Sequence, residues 1–191
     1  MLNKNIMIVG VGGQGTLLTS RIIGNAALKK GFDVKLSEVH GMAQRGGSVI
    51  TFVRFGKNVF EPVVEVGDAD ILIAFEKAEA LRYSHYLKKD GIIIVNDCEI
   101  DPITVVIGAE SYPENIVDRL KEKHTVYLVD GLKAAKKLGN SKVLNSVVLG
   151  AAAKYIGFSK EDWLDVLKET VPAKTITINE KAFLNGYGEE V

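Results

Sequence analysis

The chain has 191 residues, 47% of them hydrophobic, with 24 Lys and Arg balanced by 24 Asp and Glu. This length fits a single domain over residues 1–191, and the zero net charge excludes the strongly basic surface of a typical nucleic-acid-binding protein. A single cysteine excludes an internal disulfide. With no apolar signal segment at the N-terminus and no run of 18 apolar residues, the sequence predicts a cytoplasmic protein outside the membrane.

The few cysteines and histidines also limit the cofactors that this chain can hold. An iron–sulfur cluster usually needs four cysteine thiolates, and a structural zinc ion needs about four Cys or His ligands at short spacing. Cys98 and the scattered His40, His85 and His124 supply neither set. The chain also lacks the G-D-G pattern of a thiamine diphosphate site. The sequence therefore predicts no metal on this chain and places any redox metal on another chain.

The first predicted unit is a strand, a glycine turn, a helix and a second strand. Residues 5–9 are a near-continuous apolar run typical of a strand buried on both faces, and the glycine-rich residues 10–15 interrupt it. A helical pattern follows over residues 14–30, with Gly31 just beyond its end. Residues 32–39 form the second strand. This spacing indicates a β-α-β unit.

The middle of the chain is predicted to add a hairpin and further strands. Residues 49–55 alternate in polarity and reach Val59-Phe60 through the turn at 56–58, which indicates a β-hairpin. The remaining predictions are strands at 70–75 and 91–96 around a helix at 77–87, then shorter strands at 103–107 and 125–129 around an amphipathic helix at 113–123. The two longer strands with their helix form a second β-α-β unit.

The last third of the chain has a helical pattern. The predicted helices cover residues 133–138, 143–155, 159–169 and 177–185. Ser159 and Asp162 fit a capping box at the start of the third, and Gly186 is predicted to stop the fourth. The whole pattern predicts an α/β fold with a Rossmann-like, open and mostly parallel sheet. Helices lie on both faces, with a β-hairpin insertion and a helical C-terminal end.

The glycine turn fits G-x-G-x-x-G after a strand and at the start of a helix. Glycines let the backbone approach a ligand, and a helix N-terminus offers free N–H groups and partial positive charge to an anion. Glu38 lies about 23 residues after Gly15, near where a dinucleotide site places its ribose-binding carboxylate. Two interpretations stay open: the glycines bind a nucleotide or phosphate group, or they only permit close packing of helix and strand. The candidate binding residues are Gly10, Gly12, Gly13, Gln14 and Gly15.

A second candidate segment, residues 40–47, joins two predicted strands. Its flexible glycines and polar side chains suit close contact with a ligand or partner, and Arg45 offers a forked donor to an anion. The alternatives are that His40 is a neutral histidine bonded in the strand-end turn and that Arg45 is a solvated surface charge. The candidate residues are His40, Gly41, Met42, Gln44, Arg45, Gly46 and Gly47.

Two more candidates lie at the carboxyl ends of predicted parallel strands: Glu76 follows the strand at 70–75, and Asn96 ends the strand at 91–96. The carboxyl ends of such strands form the edge where open α/β sheets bind ligands. We therefore expect both to line a ligand or partner surface. Cys98 is expected to be a small half-buried residue rather than a nucleophile, because no neighbour in sequence would lower its pKa.

The segments GVGGQG (10–15) and SEVHGMAQRGGS (37–48) resemble the γ-type subunit of 2-oxoacid:ferredoxin oxidoreductases. The likeness extends through AFEKAEAL (74–81), VND (95–97), VP (171–172) and NEKAF (179–183), and so spans nearly the whole chain. The wider family usually has an aromatic-Gly-Pro-Glu-x-Arg-Gly loop where this chain has residues 40–47. That departure favours the indolepyruvate branch of the family.

The resemblance implies a two-subunit enzyme that oxidatively decarboxylates aryl pyruvates, passes electrons to ferredoxin and transfers the acyl group to coenzyme A. Thiamine diphosphate and the iron–sulfur clusters would lie on a large α subunit, and this chain alone would be inactive, with no catalytic residue of its own. The glycine turn and the 40–47 segment would face that subunit or a CoA phosphate. Two alternatives remain: a free-standing Rossmann nucleotide-binding module that uses Glu38, or a scaffold that binds no ligand.

Overall fold

The computed structural model describes residues 2–41 and 46–189, which contain six strands and eight α-helices. The strands are β1 (Lys4–Val11), β2 (Asp33–His40), β3 (Ser48–Gly56), β4 (Ala69–Ala74), β5 (Leu87–Asn96) and β6 (Thr125–Val129). The helices are α1 (Thr16–Lys29), α2 (Lys77–Tyr83), α3 (Ile103–Val106), α4 (Ile116–Lys121), α5 (Gly131–Lys137), α6 (Leu144–Ile156), α7 (Lys160–Thr170) and α8 (Ile176–Tyr187). Single 3₁₀ turns lie at Ser84–Tyr86, Ser141–Val143 and Ala173–Thr175.

The six strands form one sheet in the order β2-β3-β1-β4-β5-β6. β1, β4, β5 and β6 are parallel, while β3 runs antiparallel to both of its neighbours. β2 therefore points in the same direction as β1, and β3 alone is reversed. The predicted α/β class with an open, mostly parallel sheet is confirmed.

Apolar side chains on the two faces of the sheet build two separate cores. Ile6 and Ile8 of β1 face one core, which is covered by α1, α6, α7 and α8. Met7 and Val9 face the other, which is covered by α2 and α4. This alternation follows from the two-residue repeat of a strand, and it explains why the buried strands are almost wholly apolar. Helices on both faces are therefore confirmed.

The predicted arrangement of the first three strands needs correction. β3 lies between β1 and β2 and pairs with both along its length, so β1 and β2 are not neighbours. The hairpin predicted from β3 to Val59-Phe60 does not form, because both edges of β3 are already occupied. Instead the Val59 N–H donates to Asp33 Oδ2 at 2.9 Å, and Phe60 is 94% exposed.

The strand predicted at 103–107 is also wrong, since these residues form helix α3 and its last turn. Pro102 immediately precedes the helix, a position where its fixed φ favours helix initiation and its missing N–H costs nothing. Gly108, at φ +74°, follows the helix. Similarly, the helix predicted to reach residue 87 ends at Tyr83, and β5 begins at Leu87.

The C-terminal helices follow the predicted pattern, with one difference. The capping box is confirmed, because Ser159 Oγ accepts from the Asp162 N–H at 3.2 Å and Asp162 Oδ2 accepts from the Ser159 N–H at 3.2 Å. Gly186, however, lies inside α8 rather than stopping it, and the helix ends at Gly188 with φ +93°. A Cβ on Gly186 would overlap the Val147 carbonyl of α6. Gly186 therefore lets two helices touch.

Candidate functional site

The glycine turn and the last residues of the 40–47 segment meet at one edge of the sheet. This edge carries the carboxyl ends of β1 and β2 and, because β3 is reversed, the start of β3. The Gly12 N–H donates to the Gly47 carbonyl at 2.9 Å, and the Gly46 N–H donates to the Gly12 carbonyl at 3.5 Å. The expectation that the two segments form one surface is confirmed for these residues. Met42, Gln44 and Arg45 lie outside the described residues, while Gly41 is exposed.

Gln14 points inward, where its amide holds the turn in place. Its Oε1 accepts from the Val11 N–H at 2.7 Å, and its Nε2 donates to the Phe75 carbonyl at 3.1 Å. A Cβ on Gly10 would lie only 2.8 Å from Gln14 Oε1. Gly10 thus leaves room for the Gln14 side chain, and the amide of Gln14 bridges the ends of β1 and β4.

The glycines of the turn have different surroundings. Gly15, at φ +90°, lies so close to Asn145 of α6 that a Cβ would be 3.1 Å from that side chain. Gly13, at φ +103°, is exposed, and no atom lies within 4 Å of the position that a Cβ would take there. Close packing therefore explains Gly10 and Gly15, whereas Gly13 leaves its backbone open to an incoming group.

A groove of 480 Å³ opens beside Gly13, between the start of α1 and the ends of β2 and β3. The sequence analysis did not identify Thr16 and Arg21 as candidate site residues. Helical spacing could have pointed to Arg21, because it lies four residues after Leu17 and so on the same face of α1. The lining residues are Gly12, Gly13, Gly15, Thr16, Leu17, Leu18, Arg21, Glu38, His40 and Val49.

The groove combines positive charge with hydrogen-bond acceptors. α1 has no side-chain cap and no acidic residue in its first turn, so its N-terminal N–H groups and the Arg21 guanidinium suit an anion. Across the groove, Glu38 accepts a hydrogen bond from Thr51 Oγ1 at 3.3 Å. His40 Nδ1 donates to the Gly41 carbonyl at 2.8 Å, which supports the strand-end interpretation.

Glu76 and Asn96 brace the same edge from inside the protein. Glu76 is 1% exposed and accepts from the N–H groups of Glu79 at 2.9 Å and Ile100 at 3.2 Å and from the Tyr112 hydroxyl. Burial, together with the hydrogen bond to Glu76, raises the pKa of Tyr112 well above its usual value. The carboxylate of Glu76 thus caps α2 and is not presented to solvent.

Asn96 is fully buried and its amide is occupied by backbone groups. Nδ2 donates to the Phe75 carbonyl at 3.1 Å, and Oδ1 accepts from the Gly131 N–H at 3.1 Å. A Cβ on Gly131 would lie 2.7 Å from that Oδ1, so the glycine admits the contact. The expectation that Glu76 and Asn96 line a surface is therefore corrected, because both lie beneath the edge and set the positions of the loops above it.

The described residues do not fit an iron–sulfur cluster or another metal site. Within residues 2–41 and 46–189, no three His, Cys, Asp or Glu side chains are placed to hold a metal ion. Cys98 is half-buried. Burial raises the pKa of its thiol, and the nearby negative charge of Glu76 raises it further. A protonated thiol is a poor metal ligand and a poor nucleophile. In the same ranges, no helix is long and apolar enough to cross a membrane.

Comparison with known proteins decides the family. The family model for pyruvate ferredoxin/flavodoxin oxidoreductase matches residues 5–189. The chain belongs to this family. Among its oxidoreductase relatives, the indolepyruvate oxidoreductase subunit IorB of Thermococcus kodakarensis is 42% identical, covering 96% of this chain and 94% of the relative. The protein of the same name from Pyrococcus horikoshii is 43% identical with the same coverage.

Two solved structures extend the comparison to the fold of this oxidoreductase family. The γ subunit of the keto/oxoacid ferredoxin oxidoreductase from Geobacter sulfurreducens has a TM-score of 0.71 at 26% identity, with 96% of each chain covered. A 2-oxoglutarate:ferredoxin oxidoreductase from Magnetococcus marinus has a TM-score of 0.75 at 20% identity. It covers 98% of this chain but only 31% of its own, so the same fold there is one part of a longer polypeptide.

Proposed function

We propose that this chain is the small subunit of an indolepyruvate:ferredoxin oxidoreductase. The complex would decarboxylate an aryl pyruvate oxidatively, form an acyl-CoA and pass electrons to ferredoxin. The supporting observation is the gap in identity between two groups of relatives. The subunits named for indolepyruvate are 42% and 43% identical, whereas the common γ subunit for pyruvate and ketoisovalerate from Thermococcus kodakarensis is 27% identical.

The partner in this proposal is a large α subunit that carries thiamine diphosphate and the iron–sulfur clusters. The one cysteine of this chain is half-buried with a raised thiol pKa, so a cluster needs ligands from elsewhere. This chain would instead contribute binding surface. In the groove, the free N–H groups at the start of α1 and Arg21 would hold an anionic group such as a CoA phosphate. Arg45 would add a charge-assisted contact to CoA or to the partner.

Co-purification and turnover test this proposal. We expect the chain to co-purify with a thiamine-dependent α subunit when both are produced together. The complex should reduce ferredoxin with indolepyruvate faster than with pyruvate, and only when CoA is present. The matched control is each subunit alone, which should be inactive. Full turnover by the isolated chain, or a failure to bind any such subunit, would reject the proposal.

Titration of the isolated chain separates the proposal from a free-standing nucleotide module. A dinucleotide site needs Glu38 on the strand next to β1, but β3 intervenes, so Glu38 lies about one strand spacing, ~5 Å, further from the turn. We therefore expect no micromolar binding of NAD, NADP or FAD. Micromolar NAD binding that disappears in Glu38→Ala would favour the module instead. If none of these nucleotides nor CoA binds while the α subunit does, the chain is a scaffold.

A further inference from the structure

A short apolar helix projects from the protein at the end of β5. α3 buries none of its four residues, and the aliphatic side chains on and beside it are largely in solvent. Ile103 is 71% exposed, Val106 66%, Ile107 68% and Ile100 36%. Monomeric proteins rarely expose several large aliphatic side chains within one short segment unless another surface covers them. We call Ile100, Ile103, Val106 and Ile107 together the α3 patch.

Local interactions alone do not account for the helix. A single turn is costly to nucleate, and β-branched residues such as those of the α3 patch are poor helix formers. The helix is held by backbone hydrogen bonds such as Val106 N–H to the Pro102 carbonyl at 3.0 Å and Ile107 N–H to the Ile103 carbonyl at 3.0 Å. Packing against another surface would supply the stabilisation that a helix of this length otherwise lacks.

The start of this segment is anchored firmly. The Ile100 N–H donates to the buried Glu76 carboxylate at 3.2 Å, and the Lys77 N–H donates to the Cys98 carbonyl at 3.0 Å. The Lys77 ammonium also pairs with Asp97 at 2.8 Å and Glu99 at 2.7 Å, which raises its pKa. Cys98 in turn lies 3.9 Å from the Gln14 amide, beneath the glycine turn. The first residues of this segment are therefore held against the start of α2 and near Gln14 of the glycine turn.

The chain segment that carries the patch has charges of one sign. Residues 97–115 contain five carboxylates and no Lys or Arg. Asp97 and Glu99 are paired with Lys77, while the exposed Asp101 and Glu110 flank α3 in the sequence, and the Glu110 N–H donates to the Thr104 carbonyl of α3 at 3.1 Å. A complementary surface would be apolar at its centre and ringed by Lys or Arg.

We propose that the α3 patch is the docking surface for the large α subunit, which meets it with an apolar area bordered by basic side chains. This inference rests on the proposed function. It adds a second contact region to the one expected at residues 40–47, on the other side of the glycine turn. Ile103 and Val106 would be its central contacts, because they are exposed, aliphatic and one turn apart.

The test measures assembly by the double variant Ile103→Lys/Val106→Lys with the α subunit. Burying two aliphatic side chains contributes enough that we expect the dissociation constant of the complex to rise at least about a hundredfold. The matched control is Phe60→Lys/Val66→Lys, which alters two side chains in the loop between β3 and β4. These side chains are 94% and 64% exposed. This control should assemble like the wild type. Equal affinities for the two double variants would overturn the inference.

Two further measurements identify the occupant. Asp101→Lys/Glu110→Lys should weaken assembly at low salt and lose that effect at high salt, since it reverses charges around the patch. Hydrogen exchange should show protection of residues 103–109 in the complex, which needs no substitution. Unchanged exchange of these residues would show that the α subunit does not cover the α3 patch. The same conclusion would follow if the isolated chain self-associated and Ile103→Lys abolished that self-association without affecting the complex. Failure of the wild type to bind an α subunit would instead reject the proposed function itself.

Discussion

Replacing Gln14 by Ala removes two hydrogen bonds, one from the Val11 N–H at the end of β1 and one to the Phe75 carbonyl just after β4. The Val11 N–H, bonded at 2.7 Å, is half-buried and can regain part of its bonding from water. The Phe75 carbonyl keeps a second donor, Asn96 Nδ2 at 3.1 Å, so it is not left without a partner. With about 1 kcal/mol for each lost bond, we expect a loss of about 2 kcal/mol in the free energy of unfolding.

Thermal and urea unfolding of purified Gln14→Ala would measure this loss. For a chain of this size, about 2 kcal/mol corresponds to a fall in Tm of roughly 4–8 °C. The control is Asn25→Ala, which removes an exposed hydrogen bond of 3.3 Å to Thr170 and should cost less than about 0.5 kcal/mol. A wild-type Tm for Gln14→Ala, combined with a loss of CoA dependence in the complex, would refute the inward role of Gln14 and make it a ligand-binding residue.

Three other predictions concern packing, the CoA contact and pH. Gly186→Ala should destabilise the protein by about 1–3 kcal/mol in urea unfolding because it overpacks α8 against α6. The control is Gly24→Ala in α1, which should be neutral or stabilising, because the nearest atom to its Cβ is the flexible tip of Leu36 at 3.0 Å and Val34 lies at 3.6 Å, an ordinary contact. Arg45→Ala should raise the Michaelis constant for CoA or weaken the complex by roughly tenfold to a hundredfold, since a charge-assisted hydrogen bond contributes about 1.5–3 kcal/mol. Arg45→Lys should restore only part of that loss. Unchanged values in Arg45→Ala would show that Arg45 is a solvated surface charge. Burial lowers the pKa of His124 in the folded protein. The contribution of His124 to stability is therefore present above about pH 6.5, the usual histidine pKa, and is lost as the pH falls below that value. His124→Gln should flatten that part of a curve of unfolding free energy against pH.

The parts of the fold that the sequence predicts well are those set by local signals. The buried strands β1, β4 and β5 are visible as apolar runs, and the helices that pack on them begin and end at recognisable residues. Ser159 and Asp162 cap α7 as their spacing indicates, and Gly31 follows α1 with φ +79°. In each case the interaction lies within a few residues of the chain, so the pattern contains the information needed.

The order of the strands depends on contacts between distant segments, which the pattern does not contain. Nothing local to residues 48–56 says that this strand enters between β1 and β2 and occupies both of their edges. For the same reason Gly186 resembles a helix stop, although its purpose is a close approach to Val147, 39 residues earlier in the chain. Pairing and packing partners decide both outcomes.

The candidate site shows the same division. The motif places Gln14 and Gly13 side by side in the sequence, yet the turn directs one into the protein and leaves the other on the open groove. Glu76 and Asn96 lie at the carboxyl ends of parallel strands as ligand-binding residues would, but both are buried and bonded to groups inside the protein. The sequence locates the edge of the sheet, while the direction of each side chain depends on the loops packed around it.

The segment that the sequence misassigns most clearly is also the one with the least local support for its structure. Residues 103–107 are all β-branched and, apart from Thr104, apolar, which favours a buried strand, but the chain forms a largely exposed helical turn there. A sequence that violates both its local propensity and its hydrophobic pattern at one place is usually under a functional constraint. A partner surface would satisfy both requirements at once, because it would bury the aliphatic side chains and stabilise the short helix. The proposed docking surface would therefore also account for the failed strand prediction: contact with a second chain would explain why these residues are apolar although the fold of their own chain leaves them exposed.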